Sequence, residues 1–211
     1  MVKVVSFTFN PFQENTYLLH DETKECVIFD PGCSNTAEKQ ELVRYIEQND
    51  LKPVRLINTH CHLDHILGNG FIAEKYNLSL EIHKGEIPVL KFAPTSAAMY
   101  GVAIEHSPEP TQFIEEGDII RFGNAELEAI LTPGHSPASL SFYCKADNFV
   151  IAGDVLFHGS IGRTDLPGGD FNTLINSIKT KLLVLPDETK VYPGHMQATT
   201  IGFEKVNNPF L

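Results

Sequence analysis

Apolar residues fall in short alternating blocks along most of the chain, and this pattern predicts many strands with a few helices between them. Residues 2–9, 16–20 and 25–29 read as three successive strands, with Asp21-Glu22-Thr23-Lys24 as the hairpin turn before the third. Asp30-Pro31-Gly32 ends that run, and the period then changes. Over residues 37–49 the apolar positions Leu42, Tyr45 and Ile46 recur at three and four, which places them on one helical face. Asn35 or Thr36 is the expected cap, with Glu38 near the positive end of the helix. After Lys52-Pro53, residues 54–57 begin another strand. Residues 66–76 fit a helix interrupted by Gly68 and Gly70, residues 78–82 a short strand, and residues 86–99 a helix disturbed by Pro88 and Pro94. Residues 105–112 read as a loop because of Pro108 and Pro110.

The second half starts again with strands, at 118–122, 126–131, 139–144 and 149–152. A helix over 171–183 carries Leu174, Ile175, Ile178 and Leu182 on one face, and a strand at 189–192 and a short helix at 200–206 complete the chain. There is no sequence repeat, yet each half reads as strands first and helix–strand alternation second. Two mixed sheets packed together and covered outside by helices satisfy this order. A single doubly wound sheet accommodates the clustered hairpins less well.

Composition narrows the function classes. A chain of 211 residues buries about 70% of its unfolded surface, which suits one domain or two small halves sharing a core, and one domain spanning residues 1–211 is expected. The 27 acidic against 16 basic residues give a net charge of −11, which disfavours nucleic acid or an anionic membrane as the main partner. No secretory leader or membrane-spanning run is read from the sequence, and a cytoplasmic location is expected. Cys26, Cys33, Cys61 and Cys144 form no CxxC pair and are expected to be free thiols, Cys61 acting as small buried filler.

The chemistry collects at strand ends. Thr59-His60-Cys61-His62-Leu63-Asp64-His65 places three imidazoles and a carboxylate within six residues, directly after an apolar strand. Neutral imidazole and carboxylate suit zinc, iron and related divalent ions. Thr132-Pro133-Gly134-His135, Gly153-Asp154 and Tyr192-Pro193-Gly194-His195 each follow a predicted strand as well. Proline presets one backbone angle and glycine permits close approach, so each turn can present the next side chain at the end of a rigid element. Seven ligands exceed the need of one tetrahedral ion, and two neighbouring ions follow. The expected assignment gives one ion His60, His62 and His135, the other Asp64, His65 and His195, with Asp154 bridging. Such a pair, about 3.5–4 Å apart, activates a shared water and stabilises charge on an attacked carbonyl or phosphoryl group. A structural zinc would need only four ligands.

The same residues carry a resemblance. The chain resembles the metallo-β-lactamase superfamily, and within it the glyoxalase II-like (hydroxyacylglutathione hydrolase-like) thioesterases, nearly from end to end. Pro11 to Asn15 and Asp30-Pro31-Gly32 resemble that branch's opening and first loop, Thr59 to His65 its signature metal motif, and His135, Asp154 and His195 its remaining ligands. Gly159 to Asp165 and Asn208-Pro209-Phe210 resemble its later segments. The resemblance implies an α/β fold, a four-layer αβ/βα sandwich of two mixed sheets flanked by helices, in a short form without the C-terminal helical domain that supplies much of the glutathione surface. It implies a thioesterase in which a metal-bridging hydroxide attacks the carbonyl, one ion polarises the oxygen, and the other holds the nucleophile. Asp64 would orient that hydroxide. Two zinc ions are the expected cofactor, with iron or manganese as alternatives. S-D-lactoylglutathione or a related acyl thioester is the implied substrate, and a homo-oligomer is compatible with it.

Other readings stay open on the sequence. A persulfide dioxygenase-like enzyme would use one iron on His60, His135 and Asp154. A metal-stabilised binding protein without catalysis needs the same ligands. True β-lactam hydrolysis and phosphodiester cleavage fit less well. Thr59 is expected to hydrogen-bond beneath the metal loop, and Arg163 with Asp165 to form an ion pair bracing theirs. His83 and His158 are expected in supporting or surface positions. Phe71, Phe92, Met99 and Tyr100 read as core packing, with a substrate entrance as the alternative.

Overall fold

Seven consecutive buried residues form the heart of the first sheet. In a computed structural model describing residues 1–211, β2 (Glu14–His20) is buried along its whole length. It lies antiparallel between β1 (Lys3–Phe9) and β3 (Glu25–Phe29). From β3 the sheet continues in parallel through β4 (Lys52–Ile57), β5 (Leu80–Ile82) and β6 (Gln112–Phe113). Parallel neighbours need crossovers, and helices supply them. α1 (Thr36–Gln48) joins β3 to β4, buries Leu42 and Ile46, and starts at Asn35, whose side chain accepts from Ala37 N and Glu38 N. α2 (Leu63–Ile66) and α3 (Asn69–Tyr76) lie between β4 and β5, and α4 (Ile87–Tyr100) precedes β6.

The second sheet runs in the order β14-β13-β10-β9-β8-β7. Its members are β7 (Ile119–Phe122), β8 (Ala125–Leu131), β9 (Leu140–Cys144), β10 (Phe149–Gly153), β13 (Lys190–Pro193) and β14 (Thr199–Thr200). β10 and β13 pair in parallel, with α5 (Phe171–Ser177) and a π-helical turn (Ile178–Leu182) between them in sequence. A small hairpin of β11 (Leu156–Phe157) and β12 (Ser160–Ile161) follows β10, and α6 (Ile201–Asn207) closes the chain.

The chain divides into two compact units. The first takes residues 1–82, 87–113 and 121–125; the second takes 83–86, 114–120 and 126–211. Each has its own apolar core. In the first, Phe9, Leu18, Ile28, Leu42, Leu56, Ile72 and Ile82 are enclosed; in the second, Val150, Ala152, Leu174, Ile178, Leu182, Val191 and Ile201. Full burial of each large aliphatic side chain contributes about 1.5–3 kcal/mol. No helix is long and apolar enough to cross a membrane.

Several boundaries move from the sequence reading. Pro53 lies inside β4, opposite Cys26 and beside a register shift in the β3–β4 pairing. A bulge is a place where a sheet tolerates a residue without an N–H. The helix expected over residues 66–76 is two helices that begin earlier, at Leu63, and the one expected over 171–183 ends as a π-helical turn.

Candidate metal centre

In the first unit, β4 delivers four donor residues within one turn of chain. His60 and His62 lie on the loop after the strand, and Asp64 and His65 on the first turn of α2. His60 and His65 are fully enclosed, and their ring centroids are 4.2 Å apart. His60 and His62 meet edge to face at 4.8 Å. His65 Nε2 lies 3.7 Å from Asp64 Oδ2.

Hydrogen bonds beneath the loop decide which ring nitrogens are available. Thr59 donates its backbone N–H to Asp30 Oδ1 and its hydroxyl to Asp30 Oδ2, both at 2.7 Å. That hydroxyl has one proton, so His60 Nδ1, 3.0 Å from Thr59 Oγ1, must donate to it. His65 Nδ1 donates to Asp30 Oδ2 at 3.2 Å. In both rings the proton therefore sits on Nδ1, and the Nε2 lone pair remains for a metal. One carboxylate thus fixes two tautomers.

Asp30 reaches this position because Asp30 N bonds Ile57 O across the parallel β3–β4 pair, and because its own backbone takes the left-handed region at φ +48°. The next turn is pressed tight. A Cβ on Gly32 would stand 2.0 Å from Glu14 Oε2 and 2.6 Å from Asp64 O. Asn10 Nδ2 donates to Gly32 O and to Asp64 O at 3.0 Å each, which ties the β1–β2 turn to the metal loop. Glu14 lies beneath, fully buried, with Thr16 Oγ1 donating to its Oε2 at 3.0 Å. Burial pushes its carboxyl well above the usual carboxylate range; the nearby His65 works against this, and Asp30 and Asp64 reinforce it.

In the second unit three strand ends supply three donors. His135 follows β8, Asp154 follows β10, and His195 follows β13. Asp154 Oδ2 is 3.5 Å from His135 Nε2 and 3.5 Å from His195 Nε2. Two ligands about 2.1 Å from one tetrahedral ion stand about 3.4 Å apart, so the spacing fits donors sharing metal. His135 Nδ1 donates to Arg163 O at 2.7 Å, which again leaves Nε2 for the ion. Gly134, at φ +127°, packs against Leu174, whose backbone N would lie 2.2 Å from any Cβ there. Arg163 and Asp165 form the expected ion pair through two hydrogen bonds of 2.6 and 2.8 Å. The guanidinium bond holds the Asp165 carboxyl at about 2.

The seven donors thus gather as four in the first unit and three in the second. Their chemistry, imidazole nitrogen and carboxylate oxygen only, fits a pair of divalent ions, zinc, iron or manganese. His83 stands apart: Gly85 N donates to its Nδ1 at 3.0 Å, and its Nε2 reaches Glu115 Oε2 at 3.2 Å. His158 stacks on Phe203 at 4.7 Å. Phe71 packs on the first core, whereas Phe92, Met99 and Tyr100 project exposed from α4. A cavity of about 380 Å³ in the first unit, bounded by Ile66, Leu90, Lys91, Ile104 and His106, holds none of the seven donors. Little in the sequence pattern marks Asp30, Glu14 or Asn10 as supports of the metal loop. The one available signal for Asp30 was an acid placed directly after an apolar strand, as His60 nearly is.

Residues 9–195 match the profile described as "Metallo-beta-lactamase superfamily". The chain is 41% identical over 202 residues to "Probable metallo-hydrolase YqgX" of Bacillus subtilis, covering 95% of this chain and 93% of that protein. It is 38% identical over 204 residues to "Hydroxyacylglutathione hydrolase GloC" of Haemophilus influenzae, again covering 95% and 93%. Among solved structures, BLEG-1 B3 metallo-beta-lactamase aligns with a TM-score of 0.90 at 35% identity, covering 100% of this chain and 99% of that one. TTHA1623 in a di-iron-bound form aligns with a TM-score of 0.88 at 38% identity, covering 99% and 100%. The αβ/βα sandwich expected from the resemblance is the fold of this chain.

Proposed function

We propose that this chain, which belongs to the metallo-β-lactamase superfamily on its glyoxalase II-like branch and is a metal-dependent hydrolase, cleaves a thioester. The observation that carries hydrolysis is the donor set itself, with Asp154 Oδ2 equidistant at 3.5 Å from the Nε2 atoms of His135 and His195, and His135 bound through Nδ1 to Arg163 O. The thioester rests on likeness to the Haemophilus hydroxyacylglutathione hydrolase. An S-2-hydroxyacyl glutathione such as S-D-lactoylglutathione is the first substrate to try.

In this reading His60, His62 and His135 would hold one ion and Asp64, His65 and His195 the other, with Asp154 as the ligand they would share. Bound there, two divalent ions, zinc by preference, acidify a water and polarise the scissile carbonyl. Every other task falls to the chain. Asp30 and Thr59 keep the protons of His60 and His65 on Nδ1, and the Arg163 carbonyl does so for His135. Asp64, more open than its buried neighbours Asp30 and Glu14, would accept a hydrogen bond from the attacking water and so aim it. The Arg163–Asp165 pair braces the loop whose carbonyl holds His135. The same proposal takes residues 1–211 as one working domain and places the protein in the cytoplasm.

A second reading is favoured by the likeness to BLEG-1, described as a B3 metallo-beta-lactamase: attack on a β-lactam carbonyl by the same residues. The test is a substrate panel on metal-replete protein, with metal content measured on the same sample. Lactoylglutathione and simple acyl thioesters should turn over, stop with a chelator, and recover with added metal. Turnover of penicillins or cephalosporins alone would replace the thioester with the lactam. Oxygen uptake on glutathione persulfide, with one iron per chain and no thioester turnover, would replace hydrolysis with dioxygenation.

A further inference from the structure

A buried carboxylate on the turn after β5 takes no part in the reading above. Glu86 ends the 3-10 turn Lys84–Glu86 and has no exposed surface. Its Oε1 accepts two hydrogen bonds, from Ser136 Oγ at 2.6 Å and from Ala138 N at 2.8 Å. Both donors are buried and lie within three residues of His135. The turn that carries Glu86 is itself closed by Glu86 N donating to His83 O at 3.0 Å, and by Gly85 N donating to His83 Nδ1 at 3.0 Å. His83 therefore shapes the turn that presents Glu86.

We propose that Glu86 is a positioning residue for His135, holding the backbone that carries the ring at its 3.5 Å spacing from Asp154. This rests on the reading of His135 as a metal ligand. The geometry supplies the reason. The bond from His135 Nδ1 to Arg163 O fixes the rotation of the ring but not the location of its Cα. Residues 132–138 belong to no helix or strand. Their backbone is held at the ends by Thr132 N to Ser139 O at 2.7 Å and in the middle by Gly134 N to Ser136 O at 3.0 Å, while upstream of the ring Asp170 N donates to Gly134 O and Ser177 Oγ to Pro133 O, both at 2.8 Å. Only the Glu86 oxygen reaches both Ser136 and Ala138, on the downstream side of the imidazole. Glu86 would act through His135 and touch neither substrate nor metal.

The experiment uses the full chain with Glu86→Ala, Glu86→Gln and Ser136→Ala, and Asn35→Ala as a control that weakens the cap of α1 in the other unit. The first readout needs no metal: solvent exchange of the His135 Nδ1 proton, followed by NMR in metal-free protein. It should be slow in wild type and at least about 10-fold faster in Glu86→Ala. The second is cobalt(II) titration. Glu86→Ala should lose about 10–100-fold in affinity for one ion, the usual scale for removing a group that orients a ligand, with the other ion little changed. Glu86→Gln keeps an amide oxygen for both donors and should recover most of each effect, while Ser136→Ala should fall between. Should Glu86→Ala fail to fold, the Gln and Ser136→Ala pair decides by the same ordering. Wild-type exchange and affinity in Glu86→Ala, or equal losses in Asn35→Ala, would overturn the proposal. Wild-type protein that binds no cobalt would sink the metal reading, while the ring proton still reports on Glu86.

Discussion

Replacing Asp30 with asparagine should move protons on two histidines without moving a single heavy atom far. The side chain is 1% exposed and takes three good donors: Thr59 N, Thr59 Oγ1 and His65 Nδ1. Asparagine offers one oxygen in place of two. If that oxygen stands at the Oδ2 position, its amide nitrogen faces the Thr59 N–H at 2.7 Å, donor against donor. The other orientation satisfies Thr59 N–H and turns the NH2 group toward Thr59 Oγ1 and His65 Nδ1. His65 Nδ1 must then accept, its proton goes to Nε2, and the lone pair meant for metal is gone. Thr59 Oγ1, released from Asp30, can donate to His60 Nδ1 and shift that ring in the same way. Metal affinity should fall by about 10–100-fold or more, because two rings are affected. Alanine at the same position leaves three buried donors without acceptors at about 1–3 kcal/mol each, so about 3–5 kcal/mol is lost after partial relaxation. That is a large share of the about 5–15 kcal/mol typical of a folded domain. Nitrogen-15 NMR of the histidine rings, zinc calorimetry and urea unfolding read the three effects separately. An asparagine variant with Nδ1-protonated His65 and wild-type zinc affinity would refute the reasoning.

Two other perturbations test the scaffold. Gly134→Ala puts a methyl about 2.2 Å from Leu174 N at φ +127°, so strain and displacement of His135 should cost several kcal/mol and weaken metal binding; an unchanged melting temperature would contradict it. Asp21 resists ionisation loss in a different way: burial raises its pKa, but hydrogen bonds from Thr23 and Asn124 outweigh this and lower it. Its contribution to stability is therefore complete above the unfolded value near 3.9 and is lost as pH falls through the lower folded value. Urea midpoints should drop between pH 5 and pH 2.5 by less in Asp21→Asn than in wild type; equal drops would remove Asp21 from the account.

The proposed donors stand out in the sequence because His60, His135, Asp154 and His195 each follow an apolar strand closely, and His62, Asp64 and His65 crowd in directly behind His60. Their anchors do not. Asp30 acts on Thr59 only because β3 and β4 pair in parallel, a neighbour relation that no local pattern reveals. Glu86 was read simply as the start of a helix, since its role depends on a turn fifty residues later. Periodicity found every strand of five or more residues but none of the two-residue ones, β6, β11, β12 and β14, which are too short for alternation to register. It also leaves Pro53 in the connection before the strand, where the structure uses a bulge to take it into β4.

The four cysteines have one practical consequence. All are enclosed, and burial pushes the Cys26 and Cys33 thiols up to about 12 and raises that of Cys144, so reagents reach these sulfurs only when the fold opens. Three belong to the first unit and Cys144 to the second. Pulsed alkylation followed by mass spectrometry would therefore time the opening of each unit on its own clock, with no added label.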